Sequence, residues 1–70
     1  MRARVRIVLN GEEREVPEGT TVAALVDAVG IDRRYVAVER NLEIVPRARH
    51  EETLLAPGDR IEIVTMVGGG

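Results

Sequence analysis

This chain of 70 residues contains no cysteine, which limits how so small a protein can be stabilised. A chain this short buries only about 60% of the surface that its unfolded form exposes, and many small domains add disulfides or a metal for that reason. Without cysteine, disulfides, thiolate zinc sites and a thiol nucleophile are all excluded. Hydrophobic residues make up 44% of the chain, but Tyr35 is the single aromatic residue among them. One domain with a core of valine, leucine, isoleucine and alanine is therefore predicted.

A β-hairpin is predicted at the start of the chain. Residues 3–9 alternate in polarity, and β-branched residues at a period of two are typical of a half-buried strand. The alternation gives two faces: Val5, Ile7 and Leu9 on one, and Arg4, Arg6 and Val8 on the other. Asn10-Gly11 is the strongest short signal for a type I′ turn, because both residues accept a positive φ. Residues 12–16 are then the returning strand.

A single helix is predicted after the hairpin. Its apolar stripe has the spacing i, i+3, i+4 and i+7 and consists of Val22, Leu25, Val26 and Val29. Thr20 or Thr21 is the expected N-cap, and Gly30 is the expected end of the helix. A helix this short has to pack on a sheet to be stable. Its expected core contacts are Val5, Ile7, Val36, Ile61 and Ile63.

Three more strands are predicted in the second half. They cover residues 35–40, 43–45 and 60–67, with turns at Asn41-Leu42 and Pro57–Asp59 and an irregular connection or single helical turn over residues 47–56. The last strand is expected to bury Ile61, Ile63 and Thr65, with Glu62, Val64 and Met66 on its other face. The order β-β-α-β-β-β predicts an α+β fold, a mixed sheet with one main helix packed on one face.

The last three residues, Gly68, Gly69 and Gly70, are predicted to form a flexible tail that follows a domain of residues 1–67. Because glycine has no Cβ, such a tail is slim enough to enter a narrow cleft of another protein. It would present the carboxylate of Gly70 to chemistry there, as a carrier protein does.

Charge and hydropathy exclude several functions. The net charge of −2 and the lack of a basic run give no reason to expect a nucleic-acid partner. The apolar runs are too short to span a membrane, and no signal peptide is evident, so a cytoplasmic protein is expected.

His50 is the only histidine; it matches no metal-ligand spacing and is interpreted as a surface residue. The sequence shows no candidate nucleophile and no acid–base pair, so an enzyme is not expected.

A docking patch for a partner is predicted on the sheet face opposite the helix. It consists of Val8, Val64 and Met66, close to the tail, with Arg4, Arg6 and Glu62 as a charged rim.

Four segments carry a resemblance to a known family: Leu9–Glu12, Val36–Asn41, Gly58–Ile63 and Val67–Gly70. Together they resemble the ubiquitin-like β-grasp proteins and, among them, the ThiS family of sulfur carriers of thiamine biosynthesis. That family commonly has Asn-Gly after the third strand, and Asn41-Leu42 at this position is expected to change the turn.

The resemblance implies a carrier that is not an enzyme and binds no cofactor stably. An E1-like adenylyltransferase uses ATP and Mg²⁺ to adenylate the terminal glycine. Sulfur supplied by a donor system with a cysteine desulfurase then gives a thiocarboxylate, and thiazole synthase consumes that sulfur. Gly70 would be the reacting residue, and Gly68 and Gly69 would lie in the partner's active site.

Three alternatives remain open from the sequence. The small subunit of molybdopterin synthase has the same fold and tail but is usually longer and richer in aromatics. A ubiquitin-like protein modifier shares the activation chemistry. A β-grasp binding module needs no free glycine terminus.

Overall fold

Five strands and one helix occupy residues 3–66, which are the residues that the computed structural model describes. They are β1 (Arg4–Leu9), β2 (Glu12–Pro17), α1 (Val22–Ala28), β3 (Val36–Arg40), β4 (Glu43–Ile44) and β5 (Arg60–Thr65). The strands form one mixed sheet in the order β2-β1-β5-β3-β4. Only β1 and β5 pair in parallel; the other neighbours are antiparallel. The predicted α+β architecture, with its helix on one face, is confirmed.

Two turns with positive φ join the hairpins. Asn10 and Gly11 have φ values of 49° and 86°, as the Asn-Gly pair predicts. Asn41 and Leu42 have φ values of 54° and 71°, so the turn keeps this geometry although leucine occupies the second position. The expectation that leucine changes the turn is therefore wrong. A residue with a Cβ costs roughly 1–2 kcal/mol in this region. Because Leu42 is 91% exposed, the hydrogen bonds between Asn41 and Arg60, rather than packing of Leu42, hold the turn.

Helix α1 begins and ends where the sequence predicts. The Thr21 hydroxyl accepts a hydrogen bond from the Ala24 N–H at 3.1 Å, so Thr21 rather than Thr20 is the N-cap. Gly30 follows the helix with φ of 81°. The helix is therefore ended by a residue that adopts the left-handed conformation without strain.

The core lies between α1 and the inner face of the sheet. All the core residues predicted from the sequence contribute to it, although Val29 lies only at its margin. The structure adds Val16, Val38 and Leu55. Thr65 is exposed, so the prediction that it is buried is wrong. It is the last residue of β5 and lies beyond the end of the core.

His50 is buried, so its interpretation as a surface residue is wrong. It follows a 3₁₀ turn at Arg47–Arg49 that directs the side chain inward, where only 1% of the residue is exposed. Its Nε2 atom lies 2.9 Å from the Val45 carbonyl oxygen, and its own carbonyl accepts from the Ala23 N–H at 2.9 Å. His50 therefore links the loop before β5 to α1 and to the residue that follows β4.

Three element bounds differ from the prediction. Tyr35 belongs to a 3₁₀ turn at Arg33–Tyr35 and precedes β3, and Val45 lies just beyond β4. Strand β5 ends at Thr65. The end of the predicted strand at residue 67 and the predicted tail lie outside the described residues.

Candidate functional site

Strand β5 leads directly into the predicted glycine tail and occupies the middle of the sheet, between β1 and β3. One residue beyond the paired ends of β5 and β3, the Met66 N–H donates to the Tyr35 carbonyl at 2.6 Å and continues the ladder. Gly68, Gly69 and Gly70 lie outside the described residues. The structure therefore defines the strand that precedes the tail, and we take the site to be β5 and the outer sheet face beside it.

The Asn10 side chain holds β5 on its β1 side. The Ile63 N–H donates to Asn10 Oδ1 at 2.8 Å, and Asn10 Nδ2 donates to the Ile63 carbonyl at 3.3 Å. The Asn10 backbone N–H also donates to the Ile61 carbonyl at 2.8 Å. Because β1 ends at Leu9, this amide side chain replaces the backbone of a continuing strand. The sequence predicted Asn10 only as a turn residue.

Asn41 holds β5 in a similar way on its β3 side. The Arg60 N–H donates to Asn41 Oδ1 at 2.9 Å, and the Asn41 N–H donates to the Arg60 carbonyl at 2.8 Å. Asn41 Nδ2 donates to Asp59 Oδ1 at 3.0 Å. The two turn asparagines therefore fix the register of β5 from opposite sides, and nothing local in the sequence shows these contacts.

Asp59 is a buried carboxylate with a complete set of donors. Besides Asn41, it accepts hydrogen bonds from Arg40 Nε and from the Ala56 N–H, each at 2.8 Å. Burial by itself raises the pKa of Asp59, but the hydrogen bonds from Ala56, Asn41 and Arg40 outweigh it and leave the pKa below its ordinary value. The ionised form is therefore the one that stabilises the start of β5.

This lowered pKa predicts how stability depends on pH. A carboxyl group whose folded pKa lies below its unfolded value of about 3.9 stabilises the fold above that pH and loses the effect as the pH falls through the folded pKa. Asp59→Asn should lower the free energy of unfolding at neutral pH by about 1–3 kcal/mol and flatten its dependence on acid pH. Urea melts from neutral to acid pH measure both effects.

Asp32→Asn is the matched control for this prediction. The Asp32 carboxylate accepts hydrogen bonds from the Arg34 guanidinium and N–H, which lower its pKa to about 2, but it is exposed to solvent. Its replacement should cost less stability than Asp59→Asn, because solvent screens this exposed ion pair in spite of the lowered pKa and because asparagine can still accept from the Arg34 N–H. Equal losses in the two variants would contradict the role assigned to the Asp59 cluster.

The outer face of the sheet, the face away from α1, carries all three residues of the predicted patch. Val64 and Met66 are about half exposed. Val8 is only partly exposed and pairs with Arg60, four residues before Val64, which places it roughly 13 Å away along the strand. The structure therefore separates Val8 from the other two residues, because β1 and β5 pair in parallel with only their ends alongside each other.

Ile44 is an exposed residue of the outer face that the sequence did not indicate as part of the patch. It pairs with Glu39, which in turn pairs with Glu62 of β5 on the outer face. Glu43-Ile44-Val45 is too short for its alternation to assign a face.

In the predicted rim, Arg6 forms ion pairs with Glu13 and Glu15 across β1 and β2.

A cleft lies away from this face, beside the end of α1. Its volume is about 530 Å³, and its lining consists of Asp27, Asp32, Arg33, Arg34, Arg47, Ala48 and Glu51. Arg33 forms ion pairs with Asp27 and Glu51, and Arg34 forms one with Asp32. Charges of both signs therefore balance each other in this cleft.

Within residues 3–66, no three His, Asp or Glu side chains come close enough together to hold a metal ion. No helix there is long and apolar enough to cross a membrane.

Comparison with known proteins assigns almost the whole chain to one family. The model of the ThiS family matches residues 3–70. The chain belongs to the ThiS family. The sulfur carrier protein ThiS of Bacillus subtilis is 40% identical over 63 residues, which cover 89% of this chain and 96% of the relative. The thiamine biosynthesis protein ThiS of Geobacter metallireducens superposes with a TM-score of 0.76 at 30% identity and covers 94% of this chain and all of its own. The β-grasp fold predicted from the sequence is thus the fold of solved ThiS structures.

Some relatives of this ThiS-family chain are much longer. A thiazole synthase of Paramagnetospirillum magneticum is 48% identical over 66 residues, and one of Magnetococcus marinus is 39% identical over 66 residues. The chain spans only a fifth of the length of each. In those proteins a ThiS-like segment and further sequence share one polypeptide.

Proposed function

We propose that this chain is a sulfur carrier of thiamine biosynthesis, which carries sulfur as a thiocarboxylate on Gly70 and acts as a substrate rather than as an enzyme. The observation that carries the proposal is the match to the ThiS family along residues 3–70, which includes the glycine tail. The similarity to Bacillus ThiS over nearly its full length supports the same function. It favours this function over that of a molybdopterin synthase subunit or a protein modifier.

The chemistry follows from the low reactivity of a carboxylate. An E1-like adenylyltransferase transfers AMP from ATP, with Mg²⁺, to the Gly70 carboxylate and releases pyrophosphate. A persulfide sulfur, derived from a cysteine desulfurase, attacks the carbonyl carbon, and AMP leaves. A thiol then cleaves the S–S bond and leaves sulfur on Gly70. All three steps occur on partner enzymes, which we place in the cytoplasm, and the chain supplies a slim tether at Gly68 and Gly69.

Thiazole synthase is the proposed acceptor of the sulfur. Two thiazole synthases contain a segment similar to this chain, which supports an association between the two functions. A carrier and its acceptor that work together gain effective concentration when they share one polypeptide.

Intact-mass spectrometry tests the carrier function. The purified chain is incubated with the adenylyltransferase of the same organism, ATP, Mg²⁺ and a persulfide donor. The mass should rise by the difference between sulfur and oxygen, and the gain should disappear without ATP. An unchanged mass, with a ThiS protein of another species charged under the same conditions, would contradict the proposal.

The outer face is the proposed docking surface for these partners. Val64 and Met66 are exposed apolar residues on the strand that leads to the tail. Burial of a well-packed apolar anchor contributes about 2 kcal/mol or more to binding. Val64→Asp should therefore weaken binding to the adenylyltransferase by more than about tenfold in calorimetry, while the urea midpoint changes little.

Leu54→Asp is the matched control for this surface. Leu54 is 58% exposed and Val64 is 56% exposed, so the two changes place a charge at equally solvated positions. Leu54 forms a bridge with Thr21 beside the start of α1, away from the outer face. Equal losses of affinity in the two variants would remove the outer face from the proposal.

A further inference from the structure

The backbone of β5 alternates between its two neighbours. Arg60 and Met66 exchange hydrogen bonds with the β3 side, through the Asn41 N–H and the Tyr35 carbonyl. Ile61 and Ile63 bond instead to Asn10, on the β1 side. Even-numbered residues of β5 therefore face β3, and odd-numbered residues face β1.

The next odd-numbered residue is Thr65. In the antiparallel ladder it lies opposite Val36 in a pair that exchanges no hydrogen bonds, so its N–H and carbonyl point toward the β1 side. Strand β1 ends at Leu9, and the Asn10 side chain reaches only as far as Ile63. Within residues 3–66, no strand lies alongside Thr65 on this side. A central strand therefore becomes an edge strand at its last residue.

We propose that this edge at Thr65 pairs with an extended segment of thiazole synthase, which adds a strand to the sheet during sulfur delivery. Strand addition uses backbone hydrogen bonds for affinity and side-chain contacts for specificity. Val64 and Met66 flank Thr65 and would contact the side chains of the added strand on the outer face. The inference depends on the proposed carrier function.

Distance along the chain supports this choice of partner. Gly70 is five residues beyond Thr65, so a fully extended chain places the reacting carbon at most about 18 Å from the edge. A protein that encloses Gly70 therefore comes within about 18 Å of Thr65, which is close enough for one of its segments to reach this edge. Thiazole synthase is a partner that the tail would enter, and two relatives named thiazole synthase contain a ThiS-like segment.

Amide hydrogen exchange tests the proposal without altering the chain. In the free protein, the N–H groups of Val64 and Met66 should exchange slowly, because both face β3, whereas that of Thr65 should exchange fast. Addition of the thiazole synthase of the same organism should slow Thr65 by at least about tenfold. Exchange of Thr65 that stays fast in the bound complex would overturn the proposal.

A proline substitution tests the same contact by affinity. Thr65→Pro removes only the N–H that faces away from β3, so the ladder with β3 keeps its hydrogen bonds. Binding to thiazole synthase should weaken by about tenfold, since the partner's carbonyl loses its donor. Thr65→Val keeps the N–H and should bind within about twofold of the original chain. Equal affinities of the proline and valine variants would contradict strand addition.

The remaining outcomes separate the occupants of the edge. Slowing of Thr65 by the adenylyltransferase but not by thiazole synthase would overturn the choice of partner. Slowing that depends on the concentration of the chain alone would assign the edge to a second copy of it. Sulfur charging is measured on the same samples: an uncharged tail contradicts the carrier function, whereas a charged chain with an unprotected Thr65 contradicts only the pairing.

Discussion

Gly69→Ala is expected to lower the rate of thiocarboxylate formation by about 100-fold or more, because a displacement of the reacting group by about 1 Å can cost that much. The added methyl group widens the tether next to the reacting residue. Deletion of Gly70 should have a larger effect, since it moves the terminal carboxylate back by one residue, or about 3.5 Å. Intact-mass spectrometry over a time course gives both rates.

The same Gly69→Ala protein should melt in urea at the midpoint of the original chain, because the change adds one methyl group beyond the core. Normal charging of this variant would show that the partner's cleft has room for a side chain, and the explanation of the glycine tail by a narrow cleft would be wrong. Normal charging after deletion of Gly70 would place the modification elsewhere.

Leu25→Ala should have the opposite profile and lower the free energy of unfolding by about 2–5 kcal/mol. Leu25 belongs to α1, and its side chain is fully buried in the core between the helix and the sheet. Small domains have only about 5–15 kcal/mol of stability in total, so this change removes a large part of it. Urea unfolding followed by circular dichroism measures the loss.

Leu54→Ala is the control for this substitution, because it makes the same chemical change at a residue that is more than half exposed. It should cost less than about 0.5 kcal/mol. Similar losses in the two variants would contradict the assigned core. At low urea concentration, where the Leu25→Ala protein remains folded, its tail should still be charged with sulfur, so stability and transfer are expected to separate.

The outer face shows where sequence patterns stop being informative. Alternation placed Val8 and Val64 correctly on the same side of the sheet. It could not show that β1 pairs with β5 in parallel with Val8 beside Arg60, because a period of two gives the face of a residue but not its neighbour on the next strand. The patch predicted as one surface is therefore divided along the strand.

His50 shows the same limit for a loop. Its polar neighbours in the sequence, Glu51 and Glu52, indicated a surface position, and both are exposed. The 3₁₀ turn at Arg47–Arg49 nevertheless directs the imidazole toward the Val45 carbonyl. Burial of one polar side chain depends on a partner that the folded chain brings to it, and local composition carries no record of that partner.

Local patterns in the sequence were enough to predict the Asn10-Gly11 turn, the α1 stripe with its threonine cap and the alternating strands. The three terminal glycines, within the segment that matches the ThiS family, were likewise visible in the sequence. These are local signals, because turn preference, capping and periodicity act over a few residues. The way β5 is held is visible only in the folded chain, in which Asn10 bonds to Ile63 across 53 positions and no other strand of residues 3–66 lies beside Thr65 on the β1 side. Such contacts depend on strand order and register, which form only when distant segments pack together.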